Sequence, residues 1–295
     1  MPEIVRIASP ALSADISTLG AELQALRDEA GRDLLWDGDP AWWAGRAPIL
    51  FPIVGAVAHD EIRVGGHAYR LAKHGFARRA EWQLVERTEA CATFRLEDGA
   101  ATREAYPFAF RLDLRFSIEG ATLTVVAMLT NSGTTDLPAS FGFHPAFRWP
   151  LPYGAAKEDH RVIFAAPEPA PIRRLDSAGL LRPTPEPTPV AGDMLAPDAS
   201  LFEDDAIIFD RLASRSIWFG APGTRGLDIA FPDMPELGIW QKPGAPYLCI
   251  EPWAGFADPA GYSGELRDKP GILRLPAGSS HQFLMKITLG SETPQ

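Results

Sequence analysis

The stretch Ala109-Phe-Arg-Leu-Asp-Leu-Arg-Phe116 decides the fold class. Phe110, Leu112, Leu114 and Phe116 fall on one side of an extended chain, and Arg111, Asp113 and Arg115 on the other. A period of two held over eight residues specifies a strand with one buried and one wet face. The pattern continues outward. Downstream, Ala121–Thr130 alternates and ends at the turn Asn131–Asp136. Upstream, Glu81–Val85 and Ala92–Leu96 alternate too. Nearer the N-terminus, Ile4–Ile7, Ala14–Ser17, Ala21–Leu26 and Asp33–Trp36 read as strands. Pro40 can open a short helix through Trp43, since proline is tolerated at a first helical position. Glu61–Val64 and His67–Leu71 flank Gly65-Gly66 as a hairpin. Strand signals resume at Ala206–Phe209, Ser216–Phe219, Gly226–Phe231, Gly271–Leu275 and Gln282–Leu289. The expectation is an all-β protein of many short antiparallel strands, to which 28 prolines and 26 glycines supply the turns.

The chain has 295 residues, 46% of them hydrophobic, enough for a sizeable core. Residues 151–200, rich in proline, read as long surface connections with short edge strands. No separate core follows them, so residues 1–295 read as a single domain. The net charge of −10 and the lack of a basic block argue against nucleic acid and anionic membranes as partners. Cys91 and Cys249 form no CxxC, which argues against a zinc or disulfide framework. The N-terminus has no apolar leader, so the expected location is the cytoplasm. The sequence sets no oligomeric state.

Chemistry concentrates in GIWQKPGAPYLCIEPWAGFAD, Gly238–Asp258. Tyr247–Glu251 reads as a strand buried on both faces, and a carboxylate there needs a partner or a use. Glu251 beside Trp253 suits a sugar pocket, in which apolar rings cover C–H faces and a few polar groups fix hydroxyls. A strand-end glutamate held by backbone N–H groups or an arginine explains the pattern equally well. His144, inside Phe141-Gly-Phe-His-Pro145, is kept out of the helical region by the following proline. It is as readily a packed core histidine as a catalyst. Arg46 precedes the irregular run Ala47–Gly55, and His74 precedes a glycine that permits close approach. No Walker loop, GxGxxG, nucleophile elbow or HExxH is present.

Four stretches are read together: Arg46-Ala-Pro-Ile-Leu-Phe-Pro52 with Gly55, His74-Gly-Phe-Ala-Arg78, Phe141-Gly-Phe-His-Pro145, and Cys249-Ile-Glu-Pro-Trp253. In this order the chain resembles the aldose 1-epimerase (galactose mutarotase) family, in particular its bacterial APILFP/HGFAR branch. Gly20-Ala-Glu-Leu23 and Leu35–Pro40 add to the likeness, which covers essentially the whole chain. The resemblance implies a large antiparallel β-sandwich, the galactose mutarotase-like supersandwich. It implies interconversion of the α and β anomers of a free sugar, with no metal and no organic cofactor. It places the base on Glu251, the acid on His144, the second histidine on His74 and the arginine on Arg46. A substrate-binding aspartate falls on Asp205, with Asp210 as the alternative. Trp240 and Phe141 are candidate stacking walls, from their position near the motifs alone.

Such a reaction needs a base at the C1 hydroxyl and an acid at the ring oxygen, so His144 is expected to start protonated. Two rivals concern the same pocket. A hexose 6-phosphate epimerase would use Arg46 and Arg78, with Lys73 or Lys242, on the phosphate. A sugar-binding protein without turnover would need no acid–base pair. A glycoside hydrolase needs two carboxylates, and one convincing candidate is visible.

Overall fold

Phe110–Glu119 and Thr122–Asn131 pair antiparallel in unbroken register from Thr122 opposite Glu119 to Asn131 opposite Phe110. The inward residues Phe110, Leu112, Leu114 and Phe116 are buried, as the alternation requires. A computed structural model describes residues 2–290. This hairpin lies within a nine-stranded antiparallel sheet. Cys91–Glu97 and Gln83–Arg87 extend it on one side. Ser280–Leu289, Leu227–Ala230, Ser216–Gly220, Arg161–Phe164 and Met194–Leu195 extend it on the other.

A six-stranded sheet packs against it. Its central strand is Tyr247–Ala254, bordered on one side by Glu236–Trp240 and then Ile207–Phe209. On the other side lie Phe141–Phe143 and Ala146–Arg148, with Ile49–Leu50 beyond. Phe141 and Phe283, from opposite sheets, stack with ring centroids 4.6 Å apart. One apolar core running from Val5 to Leu289 fills the space between the sheets. This is the antiparallel β-sandwich expected, and sandwiches bury one face of each sheet in this way. A three-stranded sheet, Ile4–Ala8, Leu12–Ser17 and Leu23–Asp28, adds its apolar residues to the same core.

Several local expectations fail. Pro40 opens no helix; Trp42 and Trp43 donate to Asp39 O in a turn. Asp33–Trp36 forms only isolated bridges, to Arg27 and Phe147. Ala100–Ala105 is a short α-helix that the strand pattern around it concealed. The connection expected on the surface places Ile172, Leu175 and Leu181 inside, through bridges to Glu186, Ile208 and Pro259 made by it and its neighbours. No described helix is long and apolar enough to cross a membrane.

Candidate active site

The pleat of Tyr247–Ala254 determines what faces the cavity. Leu248 and Ile250 enter the main core, whereas Cys249, Glu251 and Trp253 share the opposite face. Both faces are buried, so Glu251 is desolvated by its strand. On the neighbouring edge, Phe141–Phe143 and Ala146–Arg148 both pair with this strand, and His144-Pro145 is the kink between them. Ile250 N donates to Pro145 O across the kink. The kink delivers His144 to Glu251: Nε2 lies 3.1 Å from Oε2.

The cavity has a volume of about 240 Å³. It is lined by His144 and Glu251, His74, Arg78, Lys73 and Asp205, with Trp43, Trp240 and Trp253 as indole walls. The volume is somewhat below the ~300–1,000 Å³ of drug-sized ligand sites, which suits one small ring. Trp43 stacks on His144 with centroids 5.1 Å apart, and Trp240 meets Trp43 edge-on at 5.7 Å. Trp253 lies flat over two glycines. A Cβ on Gly142 would come within 2.7 Å of the indole, and one on Gly238 within 2.5 Å.

Two residues lining the cavity, His74 and Asp205, hold left-handed backbone angles, with φ of 68° and 65°. Strain of this kind collects at functional sites. Gly55 N donates to His74 Nδ1 at 3.1 Å. The proton of the neutral ring therefore sits on Nε2, leaving a donor for a ligand oxygen. Asp205 Oδ1 accepts from Ala206 N. Arg78 is half-buried and makes no side-chain hydrogen bond or ion pair with the described residues, and burial lowers its pKa.

Burial raises the pKa of Glu251 well above the ordinary carboxylate range and lowers that of His144 to about 3. Glu251 Oε2 and His144 Nδ1 are both buried without a hydrogen-bond partner among the described residues. The resting pair therefore holds its proton on Glu251, the reverse of the starting state expected from sequence. Burial also drives His74 well below its ordinary value, so it rests neutral.

Three candidates fall elsewhere. Arg46 is not in the cavity: its guanidinium donates to Gln24 O, and its backbone N–H to Glu22 Oε1. It ties the run Ala47–Gly55 to the three-stranded sheet. Phe141 is fully buried against Phe283, because the pleat that turns Gly142 towards Trp253 turns residue 141 to the core. Asp210 pairs with Arg173 at 3.3 Å, so Asp205 is the aspartate that lines the cavity. Sequence reasoning missed Trp43; it lay at the end of the short helix expected from Pro40, and nothing marked where its indole would go.

Sandwich and cavity together define a galactose mutarotase-like protein. The family model described as aldose 1-epimerase matches residues 3–264. Protein LacX of Lactococcus lactis subsp. lactis, in plasmid and chromosomal forms, is 33% identical over 286 residues, covering 91% of this chain and 94% of LacX. A galactose mutarotase related enzyme from Lactobacillus acidophilus superposes with a TM-score of 0.89 at 29% identity, covering 99% of both chains. A galactose mutarotase-like protein from Lactobacillus casei gives 0.90 at 28% identity, over 97% of this chain and 100% of that one. The chain belongs to the aldose 1-epimerase family and is an isomerase-class enzyme.

Proposed function

We propose that this enzyme interconverts the α and β anomers of a free, uncharged hexose, with residues 1–295 acting as one domain. The observation that carries the reading is the 3.1 Å approach of His144 Nε2 to Glu251 Oε2 at one wall of a tryptophan-lined cavity. The C1 hydroxyl and the ring oxygen share one carbon. The two groups serving them must therefore sit close together, and a well-separated pair would suit a different reaction.

Glu251 is the base and His144 the acid. The resting proton first crosses from Glu251 to His144, favoured once sugar hydroxyls replace the missing hydrogen bonds and Lys73 offsets the carboxylate charge. Glu251 then takes the C1 hydroxyl proton while His144 protonates the ring oxygen, and the C1–O5 bond breaks to give the open aldehyde. Rotation about C1–C2 presents the other carbonyl face, and the same two groups run in reverse to close the ring. Each placed proton-transfer group typically supplies ~10²–10⁴ in rate. His74 Nε2–H, Arg78 and Asp205 hold hydroxyls, and the indoles cover C–H faces.

A phosphorylated hexose is disfavoured because the expected arginine pair is not assembled: Arg78 lines the cavity and Arg46 does not. The test is polarimetry of freshly dissolved α-glucose and α-galactose, repeated with glucose 6-phosphate. Wild type should speed relaxation of a free aldose, and Glu251→Gln and His144→Asn should each lose ~100-fold or more. Relaxation at the buffer rate for every free aldose refutes the enzymatic reading.

A further inference from the structure

Cys249 has no part in the reaction above, yet it occupies the same strand face as Glu251, two residues away. A ligand atom from each of His144, Cys249 and Glu251 lies within 4.8 Å of the other two, and all three side chains are buried. We propose that these three residues form a binding site for a thiophilic divalent cation, zinc being the type, which blocks turnover by occupying the acid–base pair.

The geometry nearly closes already. Three atoms that near one another always share a point within about 2.8 Å of all of them, against the ~2.0–2.3 Å that zinc takes with nitrogen, oxygen and sulfur. Shifts of well under ~1 Å complete the coordination, leaving a fourth position for water or a sugar hydroxyl. The charges balance. Zinc binds the thiolate of Cys249, the carboxylate of Glu251 and neutral His144, and the thiol and carboxyl protons pass to solvent. Two anions and one dication bury no net charge, which removes the main penalty of placing ions here. Glu251 Oε2, buried without a partner, gains one.

Softness sets the selectivity. Thiolate and imidazole suit zinc, whereas magnesium and calcium need six or more oxygen ligands, and this cluster supplies a single carboxylate. Among the described residues, His144 Nδ1 has no outer partner to orient the ring. Tight structural zinc sites have one. The site is therefore a reversible inhibitory one. The inhibition rests on the acid–base assignment above, whereas the binding does not.

Cobalt(II), titrated into the full-length protein, is the probe. A thiolate-to-cobalt charge-transfer band should rise to one equivalent and vanish when zinc is added. Cys91→Ala should keep the band and Cys249→Ala should lose it, with zinc affinity falling by more than the ~10–100-fold that loss of an outer partner costs. Zinc, but not magnesium, should slow wild-type mutarotation, and Cys249→Ala should keep its rate and escape inhibition. If Cys249→Ala does not fold, His144→Gln should weaken cobalt binding instead. A wild type without the band, a band surviving in Cys249→Ala, or binding that leaves the rate untouched overturns the proposal. Because the band needs no turnover, a protein that binds cobalt without accelerating mutarotation refutes the enzymatic reading and keeps the metal site. One that is active without a band does the reverse.

Discussion

His144 Nε2 and Glu251 Oε2 lie 3.1 Å apart, yet that oxygen has no aligned hydrogen bond among the described residues. A buried pair in this state is poised for a ligand atom to complete it.

The pair predicts an unusual pH response. Burial lowers His144 to about 3 and raises Glu251, so one proton stays on the pair across the neutral range. The acid limb of kcat/KM should therefore follow a group near pH 3 and show no break near 6.5. The ring shifts of His144 should not move between pH 7 and pH 5 by NMR; a titration near 6.5 would refute the assignment. The unfolded chain takes up this proton below its ordinary value of 6.5, while the folded chain resists until about 3. This group therefore lowers stability as pH falls through that window.

Arg46 and Arg78 should separate cleanly. Arg78 lines the cavity without a side-chain partner among the described residues, so Arg78→Ala should raise KM for the sugar by roughly tenfold, the scale of one charge-assisted hydrogen bond. Arg46 instead holds Gln24 O, so Arg46→Ala should cost about 1 kcal/mol of stability and leave KM nearly unchanged. Steady-state kinetics beside urea denaturation checks both. An Arg46→Ala enzyme with normal stability and a raised KM would contradict this placement.

Gly238 and Trp253 share one volume. A Cβ at 238 would stand 2.5 Å from the indole ring, so Gly238→Ala must push a cavity wall aside. Overpacking of this kind typically costs ~1–3 kcal/mol. The expected result is lower thermal stability together with weaker sugar binding, read by calorimetry. Unchanged affinity would mean that Trp253 does not touch the sugar.

Glu236 should carry a pH-dependent liability. Burial raises its pKa to about 7, although its carboxylate accepts from Gly255 N. The folded state thus keeps a proton that the unfolded chain has lost above its ordinary 4.5. Stability from this group is present below 4.5 and declines as pH rises towards 7, by ~3 kcal/mol at most. Glu236→Gln keeps an acceptor and removes the charge. It should melt higher than wild type at pH 8 and near the wild-type value at pH 4.5. Parallel melting curves across that range would show that Glu236 is not the cause.

Legibility differed by scale. The hairpin Phe110–Asn131 was visible because an alternating face needs only local information. Gln83–Arg87, expected at 81–85, slipped because exposed edge residues leave the register weakly specified. Glu251 could be singled out because a carboxylate inside an apolar strand conflicts with its surroundings. His74 and Asp205 carried no comparable mark, since their left-handed backbone angles cannot be read from residue type. Phe141 was misplaced because proximity in sequence took no account of the pleat; Phe141 and Gly142 face opposite ways.

The sequence by itself determined the all-β class, most of the strands and the residues able to do acid–base chemistry, because periodicity and side-chain chemistry are properties of the chain; the sandwich was implied by the family resemblance. Only the tertiary structure decided which of those residues meet. More than a hundred residues separate His144 from Glu251, and a kink in one strand opposite the pleat of another joins them. It also decided where the proton rests, because desolvation depends on everything packed around a group and not on its neighbours in sequence.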